Sequence, residues 1–101
     1  MAALLTAATS NSNPASATGT ASGASRVLIE VPNDSVFDGA EVVIQASSVN
    51  TAGKFSPIGP IASITAPGNI VLDLPTGHFI RALLNRAGDS TSVSVNMIDI
   101  T

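Results

Sequence analysis

The chain has 101 residues, no Cys, Trp or Tyr, one His, 11% charged residues and a formal net charge of -3. That length holds one domain with a small core, and without cysteine neither a disulfide framework nor a thiolate metal site can brace it, so support comes from close packing or from association with other chains. The basic residues Arg26, Lys54, Arg81 and Arg86 are scattered and form no phosphate-binding stripe, which argues against a nucleic-acid partner.

Residues 1–24 are almost entirely Ala, Ser, Thr, Gly and Asn and carry no charged side chain. Alone, such a composition reads as a linker or tail. Its apolar start is short, and the first basic residue is Arg26, so it is not read as a secretory signal. Nothing in the chain approaches the roughly 20 apolar residues of a membrane-spanning helix, and no membrane partner is expected. The segment has two readings: an arm lying on a neighbouring subunit, with Met1, Leu4, Leu5 and Thr6 as contact residues, or a first hairpin of the same domain.

From residue 25 to 101, strand and turn signals alternate at the spacing of an all-β sandwich or barrel. Residues 26–31, Arg-Val-Leu-Ile-Glu-Val, form the first clear strand, stopped by Pro32-Asn33-Asp34 because proline cannot donate to a ladder. After Asp38-Gly39, residues 40–47 place Glu41, Val43 and Gln45 on one face and Val42, Ile44 and Ala46 on the core face. Residues 49–54 read as a hairpin loop in which Gly53 supplies a positive φ. Phe55-Ser56-Pro57-Ile58 returns as a short strand, its proline marking an edge. Further strands are read at 61–65, 69–74 and 78–85, separated by Pro67-Gly68 and Pro75-Thr76-Gly77. After the turn at 87–90, the alternation from Thr91 to Ile100 opposes Val93, Val95 and Met97 to Ser94, Asn96 and Ile98.

Little of this pattern carries chemistry. His78 is the only imidazole and stands beside a turn; no serine lies in a G-x-S-x-G elbow. The seven carboxylates, Glu30, Asp34, Asp38, Glu41, Asp73, Asp89 and Asp99, each fit a turn, a strand end or a solvent face. Asp34, Asp38 and Glu41 form the densest group, and an Asx-turn role outweighs a calcium loop, whose close oxygen spacing they lack. No catalytic residue, cofactor or metal is therefore assigned. Arg81, opposite Ile80 and Ala82 on its strand, is a candidate for pairing with a carboxylate on a neighbouring strand or at a subunit boundary, or for keeping a sheet edge from aggregating.

The order of segments resembles small β-sandwich virion proteins of tailed bacteriophages. The likeness spans nearly the whole chain: an Ala/Thr/Ser/Gly-rich opening, the strand from Ser25 to Val31, Gly39-Ala-Glu-Val-Val-Ile-Gln-Ala-Ser47, Phe55-Ser-Pro-Ile58, Gly77-His-Phe-Ile-Arg-Ala82, and a final Ser/Val strand. It rests on pattern and contains no catalytic signature. In those proteins a tryptophan often stands at the position of Phe55 and Lys-Tyr at that of His78-Phe79; this sequence departs at both.

The resemblance implies a structural component of the phage particle, with capsid decoration, or cement, proteins the best match in size. It implies a homotrimer on the outer surface of the virion capsid, bound to the major capsid protein and assembled in the host cytoplasm. The expectation is thus a jelly-roll-like antiparallel β-sandwich that decorates a capsid without being an enzyme. The rival expectation is a tail or head fibre module that binds a host surface glycan; the absence of Trp and Tyr for sugar stacking weighs against it.

Overall fold

In Arg26–Val31, Val27, Ile29 and Val31 are nearly completely buried while their alternate neighbours are not, so one face of the strand meets the core. The same period-two pattern recurs in Glu41–Ser47 and Val93–Asp99. A computed structural model describes residues 2–58 and 63–100. In chain order its strands are β1 (Ala2–Ala8), β2 (Thr20–Ala21), β3 (Arg26–Val31), β4 (Glu41–Ser47), β5 (Ser56–Pro57), β6 (Ser63–Ile64), β7 (Gly68–Asp73), β8 (Phe79–Asn85) and β9 (Val93–Asp99). Of the strand expected at 61–65, Ile61 and Ala62 lie outside the described residues.

The strands form two antiparallel sheets. One has the order β1-β9-β3-β7; the other has the order β2-β8-β4-β5, with β6 also pairing with β4. Taking β5 and β6 as one interrupted strand, the chain crosses between sheets at each connection except β4 to β5. Both sheets are then four-stranded, and the path is the double Greek key of a jelly roll. The expected antiparallel jelly-roll sandwich is the observed fold.

Between the sheets, Val27, Ile29, Val31, Val93, Val95 and Met97 from one side meet Val42, Ile44, Ile80, Ala82 and Leu84 from the other. Each Val, Ile, Leu or Met side chain among them contributes about 1.5–3 kcal/mol when fully buried. The core is closed at one end by Phe37, from the β3–β4 connection. That connection ends in a tight turn, Ala40 N–H donating to Phe37 O at 2.9 Å, with Asp38 at φ 47° and Gly39 at φ 83°. An Asp-Gly pair suits two consecutive positive φ angles. Thr91 fastens this turn to the next: its Oγ1, buried, donates to Phe37 O at 2.7 Å and accepts from Gly88 N–H at 2.8 Å. Gly88 is required there, because a Cβ would lie 2.6 Å from Asp38 O.

The loop at 49–54 differs from expectation. Ala52–Lys54 forms a single 3-10 turn, and Gly53 is not among the glycines at positive φ. A 3-10 turn reverses the chain with ordinary right-handed angles, so no left-handed residue is needed. Pro57 does stand on a short outer strand.

Candidate functional site

Alternation along β8 turns Ile80, Ala82 and Leu84 into the core and leaves Arg81 on the outer side of its sheet. Arg81 is nevertheless only 4% exposed. Its Nε donates to Gln45 Oε1 at 2.8 Å, directly across the β4–β8 ladder. Its Nη1 donates to Ala17 O at 2.7 Å and to Pro14 O at 3.1 Å, two carbonyls of a turn in which Ser16 and Ala17 N–H point back to Asn13 O. The guanidinium lies over the Phe55 ring, 4.4 Å from its centroid. These hydrogen-bond acceptors are neutral and belong to the same chain; the expected carboxylate partner is replaced by oriented amide dipoles. Burial pushes the Arg81 guanidinium down from its ordinary range, because desolvation disfavours the charged form.

Arg81 is one fastening among several that hold residues 9–24 against β8. Ser12 N–H donates to Leu84 O at 2.8 Å, and Ser12 Oγ accepts from Leu84 N–H at 3.0 Å. Asn11 Oδ1 accepts from Ala87 N–H, and Asn50 holds Gly19 through both its N–H and its carbonyl. Gly19 passes so close to β8 that a Cβ would lie 2.8 Å from Ile80 O and 3.0 Å from the Phe55 ring. At the end of the segment, Gly23 N–H donates to Asp99 Oδ1.

The candidate contact residues of the N-terminal segment are therefore dispersed. Met1 lies outside the described residues. Leu4 and Leu5, half-buried on β1, pack against the core of their own sandwich. Thr6 is exposed on the same strand, while Arg81 sits in the opposite sheet. Sequence reasoning did not single out Asn11, Ser12 or Asn50. Each is an Asn or Ser in a loop-like stretch, a type that habitually bonds backbone, but residue type does not say which backbone.

The remaining polar groups are largely engaged within the chain. Glu41 accepts from Ser63 Oγ at 2.8 Å and pairs with Arg86 at 3.2 Å. Asp38 accepts from Ser90 N–H, Glu30 from Asn96 Nδ2, and Asp73 pairs with Arg26 at 2.9 Å. His78 uses its backbone, accepting from Ser22 N–H and donating to Pro75 O. No group of three His, Asp or Glu residues able to hold a metal occurs among the described residues. An open cleft of about 240 Å³ lies between the Pro32 and Pro67 turns, with Glu30 its single charged residue.

The sheet edges are more distinctive. An exposed edge strand is a template for pairing unless something disrupts it. β1 is disrupted by two register irregularities and by Ala7 at φ 43°; β2, β5 and β6 have two residues each, and β5 contains Pro57. β7 is six residues long, pairs with β3 in unbroken register from Gly68 to Asp73, and has no described strand on its other side. On its outward face Val71, 50% exposed, stands opposite Leu28, which stands opposite Ile98. An apolar row thus crosses three strands and ends at the open edge.

Compared with known proteins, the chain matches no family model, no curated protein and no solved structure. Fold and surface together define a jelly-roll β-sandwich whose N-terminal segment is built into both sheets and whose β7 edge has no strand beside it among the described residues.

Proposed function

We propose that this chain is a non-enzymatic virion structural protein of a tailed bacteriophage, decorating and stabilising the capsid shell by binding major capsid protein subunits. The observation that carries this reading is the distribution of polar groups: Arg81, Glu41, Asp38 and Asn50 bond loops and strands of their own chain, while the surface offers an open strand edge beside an apolar row. Such a surface suits backbone pairing and apolar contact with another protein. Jelly rolls recur in viral capsid domains and in lectins, so the fold is compatible with this function and with the glycan-binding alternative, and it decides neither. Phe37 is buried and one face of the half-buried Phe55 ring is covered by Arg81, which reduces the aromatic surface open to a sugar and favours the structural reading.

The assembly we propose is a homotrimer on the outer capsid surface, put together in the host cytoplasm. The test is sedimentation of the purified chain with phage heads that lack it. Binding at a fixed ratio to the major capsid protein, with heads that withstand higher temperature, supports decoration. A chain that ignores heads and co-purifies with tails or fibres refutes it and transfers the weight to glycan recognition.

A further inference from the structure

We infer that the free edge of β7 pairs with the β7 edge of a second copy of this chain, antiparallel and centred on Val71, so that two sheets join across a two-fold axis. The inference goes beyond the proposed function and does not depend on it. It rests on which backbone groups the edge offers and on how they match their own image.

The β3–β7 ladder pairs Arg26 with Asp73 and Val31 with Gly68, and one step further Leu74 N–H donates to Ser25 O at 2.9 Å. Hydrogen-bonded pairs alternate along an antiparallel ladder. Leu74, Leu72, Ile70 and Gly68 therefore direct their N–H and C=O toward β3, and Asp73, Val71 and Asn69 direct theirs outward. A two-fold axis perpendicular to the sheet at Val71 sets Val71 against its own copy, Asn69 against Asp73 of the second copy, and Asp73 against Asn69. All three are pairs of outward-directed residues, so the junction closes six hydrogen bonds.

The ends fit as well. In this register Pro67 faces Pro75 of the second copy, so the ladder stops at both ends where no donor exists. Centring on Ile70 instead would place Asp73 against Pro67, which has no N–H for the Asp73 carbonyl. The side chains agree with the same choice. No two like charges are opposed, because Asp73 meets Asn69, and Arg26 already neutralises Asp73 within its own chain. On the outward face the row Ile98–Leu28–Val71 continues into its own image, covering two valines that are half-exposed in one copy. An axis through β7 is isologous; a threefold assembly would use other surfaces.

The experiment is sedimentation equilibrium of the full chain over a range of concentrations, with three variants. The wild type is expected to reach about 20 kDa, twice its 10.1 kDa. Val71→Pro removes an outward N–H that β3 does not use and is expected to return the chain to about 10 kDa. Asn69→Asp creates two Asp–Asp oppositions and should weaken the pair about fivefold, whereas Asn69→Lys creates two Lys–Asp oppositions and should tighten it similarly; cross-strand charge pairs have effects of this order, and both shrink at high salt. Amide exchange supplies a separate readout: Asn69, Val71 and Asp73 N–H become protected only where the pair forms. A chain that stays monomeric up to about 1 mM overturns the inference, as does a trimer indifferent to all three variants. Should Val71→Pro fail to fold, the opposite responses of the two Asn69 variants still decide.

Discussion

Replacing Arg81 by Ala is expected to destabilise the fold by about 3 kcal/mol. Three hydrogen bonds from a charged donor are lost, each worth about 1.5–3 kcal/mol in favourable settings, together with a stacked guanidinium worth about 0.5–2 kcal/mol. Against that sum stands the cost of keeping a cation 4% exposed with no carboxylate among its partners, which removal relieves. Pro14 is exposed and Ala17 half-exposed, so their carbonyls are rehydrated when the segment lifts, and this too reduces the loss. A net 3 kcal/mol corresponds to a fall in Tm of roughly 12–24 °C for a domain of this size. Urea unfolding followed by circular dichroism measures the global effect, and amide exchange at Ser12 and Ala17 measures release of the segment. Arg81→Lys, with a single ammonium that cannot span Gln45 and both carbonyls, should recover less than half of the loss. A change under about 0.5 kcal/mol, the level of an ordinary surface substitution, with unaltered exchange at Ser12, would refute the assignment of Arg81 as a fastening of the segment.

Three further substitutions probe the same architecture. Gly19→Val places a side chain against Ile80 O and the Phe55 ring; it should cost about 1–3 kcal/mol, as overpacking does, and deprotect the amide at position 19, which donates to Asn50 Oδ1, as exchange measurements report. Thr91→Val keeps the shape but leaves Phe37 O with the Ala40 N–H alone and Gly88 N–H without its side-chain acceptor, for a loss of about 2 kcal/mol in urea unfolding. Ala7→Gly acts in the opposite direction: Ala7 sits at φ 43°, and relief of that left-handed strain should leave stability unchanged or raise it by up to about 1 kcal/mol, read as an increased Tm.

Strands β3, β4 and β9 are legible in the sequence because buried and less buried residues alternate along most of their length, and β9 shows it most cleanly with Val93, Val95 and Met97 inward; β8 is legible from the turns that bound it, since Ile80 through Leu84 are all buried. β1 is not, since its inward residues Ala2, Leu5 and Ala8 pair with Met97, Val95 and Val93 across two register shifts. The irregularities erase the period of two that would have marked a strand. Arg81 was placeable on the outer face by alternation with Ile80 and Ala82, but its main-chain partners were not: carbonyls of Pro14 and Ala17, 67 and 64 residues away, leave no signature in residue type. Likewise Asn69–Leu74 reads as a strand, but nothing in its residues tells that the topology leaves β7 at an edge.

The ordering of the N-terminal segment changes how particle binding has to be tested. A segment that merely lay on a neighbour could be deleted without harm to the fold. Here β1 covers one side of β9, with Leu4 and Leu5 against the core, and Ser12 and β2 together flank β8 in the other sheet. Removing residues 1–12 would strip an edge strand from one sheet and the Ser12 fastening from Leu84, baring Val93, Val95 and Met97 to water. The expected result is loss of the β-type circular dichroism spectrum along with any binding, so such a deletion cannot separate the two. Thr6, exposed on β1, can be altered without touching the core. Thr6→Lys should leave the spectrum and Tm intact, and loss of co-sedimentation with phage heads in that variant alone would assign β1 to the contact. Unchanged binding would direct attention to the opposite edge of the same sheet, where β7 is free.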